Sequence, residues 1–166
     1  MRVTGYGVLH APPERVWRAL TDPAVLARAI PGCQRLAAAG PDAYRLTLQA
    51  AAPVVQGSYA GEVRVAERHP PTSLVLHVEG AGATGTVQAQ VTVRLQADGS
   101  DATRVDYAAD AVVGGAVAGV GQRLLAAAAQ RMAGELLEAV DAALAAAPPA
   151  AEPAGARAGA GLPVEA

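Results

Sequence analysis

The sequence predicts an α+β domain in which a curved antiparallel sheet of six or seven strands wraps around one long C-terminal helix. Two short helices lie between the first strands. Three observations carry this expectation. Apolar and polar residues alternate with period two over several stretches between residues 44 and 111, the signature of half-buried strands. The stretches are joined by short Gly-, Pro- and Asp-containing turns, which fit hairpins rather than parallel crossovers. From Ala116 to Ala147 no proline occurs and strong helix formers dominate.

The elements follow in order. Val3 to Leu9 is a first strand, closed by Ala11-Pro12-Pro13. Pro13 opens a helix with Glu14 in its first turn, the charge that the helix dipole favours there, and with Val16, Trp17 and Leu20 as its apolar stripe. Asp22 caps a second short helix bearing Val25, Leu26 and Ile30, and Pro31-Gly32 ends it. Leu36 to Ala39 is a brief strand before the Gly40-Pro41-Asp42 turn. Tyr44, Leu46 and Leu48 share one face of the next strand, as do Tyr59, Gly61, Val63 and Val65 of the one after. His69-Pro70-Pro71 turns the chain into a strand with Leu74, Leu76 and Val78 on one face, and the glycine-rich run 80–85 reads as a permissive bend. The clearest alternation runs through Val87, Ala89, Val91, Val93 and Leu95, and Val105, Tyr107, Ala109 and Ala111 line the last strand. On the final helix, Leu124, Ala128, Met132, Leu136, Val140 and Leu144 recur as an apolar stripe. Residues 1–147 thus form one domain. Residues 148–166, rich in Ala, Pro and Gly, are expected to be a disordered tail.

Composition narrows the function. Hydrophobic residues make up 52% of the 166-residue chain, yet aromatics are 3% and Phe is absent. Small side chains fill an interior poorly, so the chain either packs its backbones closely or leaves an internal space. The net charge of −2 and the absence of a basic cluster argue against nucleic-acid binding. One cysteine, no signal-peptide core and no uninterrupted apolar span of about 20 residues indicate a cytoplasmic protein with at most transient, peripheral membrane contact.

No motif announces catalysis, a cofactor or a metal. His10, His69 and His77 lack metal-ligand spacing, and Cys33 has no activating neighbour in sequence. The glycines match no phosphate-binding fingerprint. Glu79, Asp106 and Asp110 fall on the outward parity of their strands, which opposes a general acid or base role. The expected ligand-cavity lining is Trp17, Tyr59, Val63, Val91, Val93, Tyr107, Leu124, Ala128 and Met132. Arg123 is the one charge of interest, either tying the helix to the sheet through a carboxylate such as Asp110 or facing a ligand headgroup.

Several motifs occur together in order: Pro13-x-x-Val16-Trp17-x-x-Leu20-x-Asp22-Pro23; Ile30-Pro31-Gly32-Cys33; Gly57-x-Tyr59-x-Gly61; Glu79-Gly80-x-Gly82-x-x-Gly85; Tyr107-x-x-Asp110; and Gly114-Gly115 followed by Ala118 and Val120-Gly121-Gln122-Arg123-Leu124. On these residues the chain resembles the CoxG family of carbon monoxide dehydrogenase subunits, within the START-like, polyketide-cyclase (SRPBCC) superfamily. The resemblance implies a helix-grip fold with a cavity between sheet and long helix. It also implies a role beside molybdenum hydroxylases of the carbon monoxide dehydrogenase type, in maturation, membrane recruitment or coupling to a quinone. Family members often carry a membrane-contacting C-terminal segment, and the weakly apolar tail here departs from that pattern. Three functions compete at this level. They are a noncatalytic binder of a hydrophobic molecule such as a quinone or lipid, a cyclase- or dehydratase-like enzyme, and a protein-docking module with an incidental cavity.

Overall fold

The computed structural model describes residues 1–146. The tail expected from residue 148 lies outside the described residues. Seven antiparallel strands form one sheet in the order β1-β7-β6-β5-β4-β3-β2. They are β1 (Arg2–Leu9), β2 (Cys33–Ala38), β3 (Ala43–Ala50), β4 (Gly57–His69), β5 (Ser73–Gly82), β6 (Gly85–Ala97) and β7 (Thr103–Gly114). Helices α1 (Pro13–Leu20) and α2 (Pro23–Ala29) follow β1, and α3 (Gln122–Ala146) closes the described chain. Short 3₁₀ turns occupy Pro53–Val55 and Ala116–Val120.

Pairing registers put the expected apolar faces together. Val87, Ala89, Val91, Val93 and Leu95 of β6 lie opposite Val113, Ala111, Ala109, Tyr107 and Val105 of β7. Val78 joins Val63 to Ala89 across the sheet. One inner face therefore runs across β4 to β7, and the irregularity between Val65 and Glu67 comes after it has been set.

Three expectations change, the first being that the brief strand expected from Leu36 to Ala39 spans Cys33–Ala38. The glycine run 80–85 is mostly strand, since β5 continues to Gly82 and β6 begins at Gly85. The cross-strand pairing of Gly80 with Gly61 and Val87 holds it in the sheet. The long helix begins at Gln122 rather than Ala116. Gly115 and Gly121 adopt φ of 81° and 102°, left-handed values that stop α-helix propagation on both sides of the 3₁₀ turn. The 25-residue α3 is then about 37 Å long.

Helix α3 lies against β1, and Gly7 eases the close approach. A Cβ at Gly7 would stand 2.9 Å from Leu137 Cδ1. Side chains then fix the helix in place. Gln130 donates to the Thr4 carbonyl at 2.9 Å, satisfying an edge-strand acceptor. Asp141 accepts from the His10 backbone N–H at 2.9 Å, and Arg15 donates to the Leu144 carbonyl at 3.0 Å.

The dry core fills one end of the grip. Leu9, Val16, Trp17, Leu95, Val105, Leu137, Val140 and Leu144 pack there, with Val93 and Leu76 against them. Asp22 caps α2 as expected, accepting from Ala24 N–H at 2.9 Å. Thr103 is fully buried and donates to the Ala11 carbonyl at 2.7 Å. Thr103→Val keeps the shape but strands that carbonyl, so denaturant titration should show a loss of about 1–3 kcal/mol.

Candidate functional site

The opposite end of the grip is hollow. A cavity of about 260 Å³ opens between the inner face of β3–β7 and the first half of α3. Leu46, Leu48, Val63, Val78 and Val87 form its sheet wall, and Leu125, Ala128, Ala129 and Met132 form its helix wall. Val55 and Val117 of the two 3₁₀ turns close the end.

The hollow exists because two inward positions have no side chain. Gly61 and Gly80 are directly paired on adjacent strands, and both line the cavity. Neighbouring inward positions carry Val63 and Val78 on one side and Tyr59 on the other. Period-two alternation would otherwise put two more apolar groups in this space.

Tyr59 knits the closed end together. Its hydroxyl donates to the Val55 carbonyl at 2.8 Å and is also hydrogen-bonded to Thr84 Oγ1 in the β5–β6 turn. The Thr84 carbonyl in turn accepts from Val117 N–H at 2.7 Å. Gly82 leaves room for the ring, because a Cβ there would stand 2.7 Å from Tyr59 Cδ2. Tyr59→Phe should therefore loosen this end while keeping the apolar wall. The expected readout is faster amide exchange at Val55 and Val117, with little change in the α1 core.

Of the nine residues expected at the cavity, the structure brings Tyr59, Val63, Ala128 and Met132 to it. Five lie elsewhere. Trp17 is 8% exposed and belongs to the dry core, because α1 covers the filled end of the sheet. Val93 packs against that same core. Val91 faces inward between Leu76 and Ala109, outside the cavity lining. Tyr107 lays its phenol over Gly5 of β1, where a Cβ would meet the ring carbon Cζ at 2.6 Å. Burial there pushes the phenol above its ordinary value near 10.

Leu124 is the instructive miss, being 51% exposed. A strict four-residue spacing gains about 40° per step, so Leu124 lies about 200° around the helix from Leu144. Its neighbour Leu125 is buried instead and lines the cavity. The core residues Leu137, Val140 and Leu144 share one narrow stripe, whereas Leu125, Ala128, Ala129 and Met132 centre about 100° away. The most buried core residues of α3 and its cavity residues thus differ in azimuth, while Leu136 and Ala139, on the cavity-side azimuth, also pack against the core.

Arg123 is exposed in the first turn of α3 and does not line the cavity. The expected tie to Asp110 is not made, since Asp110 pairs with Arg2 across β1 and β7 at 3.1 Å. Cys33 is half-buried, with Sγ 3.6 Å from the Arg35 carbonyl oxygen. Among the described residues no group of three His, Cys, Asp or Glu side chains is placed to hold a metal ion. No described helix is long and apolar enough to cross a membrane.

The missed lining residues Leu46, Leu48, Val78 and Val87 had a signal in the sequence. Each lies on the apolar parity of its strand. What could not be read was which end of the inner face would be filled.

Comparison with known proteins places this geometry. The family of CoxG, described as a carbon monoxide dehydrogenase subunit, matches residues 7–145. A conserved protein from Geobacillus kaustophilus is similar at 32% identity with a TM-score of 0.84, covering 87% of this chain and 95% of its own. A START superfamily protein from Mycobacterium smegmatis shares the fold at 15% identity and TM-score 0.71, covering 87% and 97% of the two chains. The ZhuI aromatase/cyclase from a Streptomyces species does so at 14% and 0.66, covering 87% and 93%. A search of curated proteins finds no match. With the family match spanning nearly all of the described residues, the chain belongs to the CoxG family of carbon monoxide dehydrogenase subunits and has a START-like helix-grip fold.

Proposed function

We propose that this protein is a noncatalytic binder of a hydrophobic small molecule, a quinone or a lipid. In this reading it serves as an accessory to a molybdenum hydroxylase of the carbon monoxide dehydrogenase type. The observation that carries the binding reading is the apolar hollow above Gly61 and Gly80, walled by Val63, Val78, Val87 and Met132. Its volume of about 260 Å³ lies near the lower edge of small-molecule sites. It takes a ring or a short chain segment, and a longer ligand extends through its open side. The family match supports the partner, with the role falling in maturation, membrane recruitment or electron-acceptor coupling. The setting is cytoplasmic with transient membrane contact.

Native mass spectrometry of gently purified protein, followed by organic extraction, tests the binding role. A stoichiometric apolar molecule released on unfolding is the expected result. An empty protein, together with failure of added quinones and lipids to bind, would sink it. Co-purification with the dehydrogenase tests the partner separately.

A further inference from the structure

We infer that the cavity selects uncharged ligands and rejects anionic ones of the same carbon skeleton. The inference rests on the apolar-binding reading and names the charge class of its ligand.

The polar atoms around the hollow decide this. Glu62, Glu79 and Thr86 belong to strands that line it, but they alternate with Gly61, Gly80 and Val87, so their side chains stand on the outer face. Glu62 is held there by Arg45 at 3.7 Å and Arg64 at 3.4 Å. Glu79 is exposed on the same outer face, directly opposite Glu62. The Tyr59 hydroxyl, at the closed end of the hollow, is engaged by Val55 and Thr84. Among the described residues no Arg or His lines the cavity. The α-ammonium of Met1 lies at the rim and donates to the Ala111 carbonyl at 2.8 Å.

A carboxylate drawn into the depth of this space leaves water without gaining a cationic side chain, and the Met1 ammonium at the rim is already engaged by the Ala111 carbonyl. That cost is large unless the acid takes up a proton. A neutral alcohol or ketone of equal length meets a far smaller penalty, because desolvating an uncharged oxygen costs much less than desolvating a charge.

Isothermal titration with 1-decanol and decanoic acid between pH 5 and pH 8 tests the inference. Decanol should bind with one affinity throughout. Decanoic acid should bind only in its protonated form, so its apparent affinity falls about tenfold per pH unit above its own pKa. Met132→Lys sets a cation against the cavity and should raise decanoate affinity at pH 8 at least about tenfold while weakening decanol. Ala129→Lys repeats this test should Met132→Lys fail to fold. Decanoate binding as tightly as decanol at pH 8 would overturn the selectivity and leave the apolar site standing. The same holds for lysine variants that fold and leave decanoate affinity unchanged. If neither compound binds to folded protein, the apolar-binding reading falls and the selectivity falls with it.

Discussion

Gly80→Leu is expected to abolish binding of a neutral apolar probe without unfolding the protein. A Cβ at Gly80 would stand 3.4 Å from Val87 Cγ1 and 3.8 Å from the Ala60 carbonyl oxygen, both ordinary contacts. The position has unstrained strand geometry and full cross-strand pairing with Gly61 and Val87. Glycine inside a strand costs conformational entropy, so a side chain there should hold or raise stability. The leucine would project into the hollow and occupy much of its floor. Affinity for N-phenyl-1-naphthylamine, followed by fluorescence, should fall more than about tenfold, or over 1.4 kcal/mol. The melting temperature should not drop. The paired glycine behaves differently. A Cβ at Gly61 would stand 2.8 Å from the Glu79 carbonyl oxygen, a backbone atom that cannot swing away. Gly61→Ala should therefore lower stability. Unchanged probe binding in folded Gly80→Leu would mean that the ligand sits elsewhere.

Trp17→Ala should have the opposite signature, a large loss of stability with binding retained. Trp17 is 8% exposed and packs in the dry core formed by β1, α1, β6, β7 and α3. Removing a buried indole leaves a void that the surrounding side chains only partly close, costing about 3–5 kcal/mol. That is a large share of the stability of an ordinary domain. Urea titration should show the midpoint falling sharply. Under folding conditions, probe affinity should stay within about threefold of the parent protein, a change below 0.7 kcal/mol. A tenfold loss of affinity in the folded variant would instead return Trp17 to the cavity wall. Trp17 is also the only tryptophan in the chain, so its emission should respond to unfolding and remain nearly silent to ligand.

These two variants mark the boundary between what is legible in the sequence and what is not. Alternation identifies the inner faces of β3 to β7, because a half-buried strand must show one apolar side. It puts Tyr59 and Val63 on that face, and by the same parity it contains Leu46, Val78 and Val87. Parity does not say which stretch of an inner face meets helix side chains and which meets empty space. Trp17, Val91, Val93 and Tyr107 are apolar or aromatic residues of the same interior, displaced from the cavity by position along the elements. The glycine run 80–85 resembles a bend for a related reason. Local flexibility argues for a turn, while pairing with β4 and β6 holds Gly80 and Gly82 in strand geometry.

Local sequence was enough for the architecture: antiparallel strands with one apolar face each, the short helix pair with Asp22 capping its second member, the terminal helix and the family motifs. Each depends on nearest neighbours along the chain, where periodicity, capping and turn chemistry operate. Long-range packing alone placed the hollow, made Gly61 and Gly80 its floor, and divided the broad apolar face of α3 between core and cavity. It also gave Asp110 to Arg2 and left Arg123 at the surface. These outcomes depend on which distant residues share a few ångströms of space. A pattern along the chain shows that a face will be buried, but the elements packed across from it decide what it is buried against.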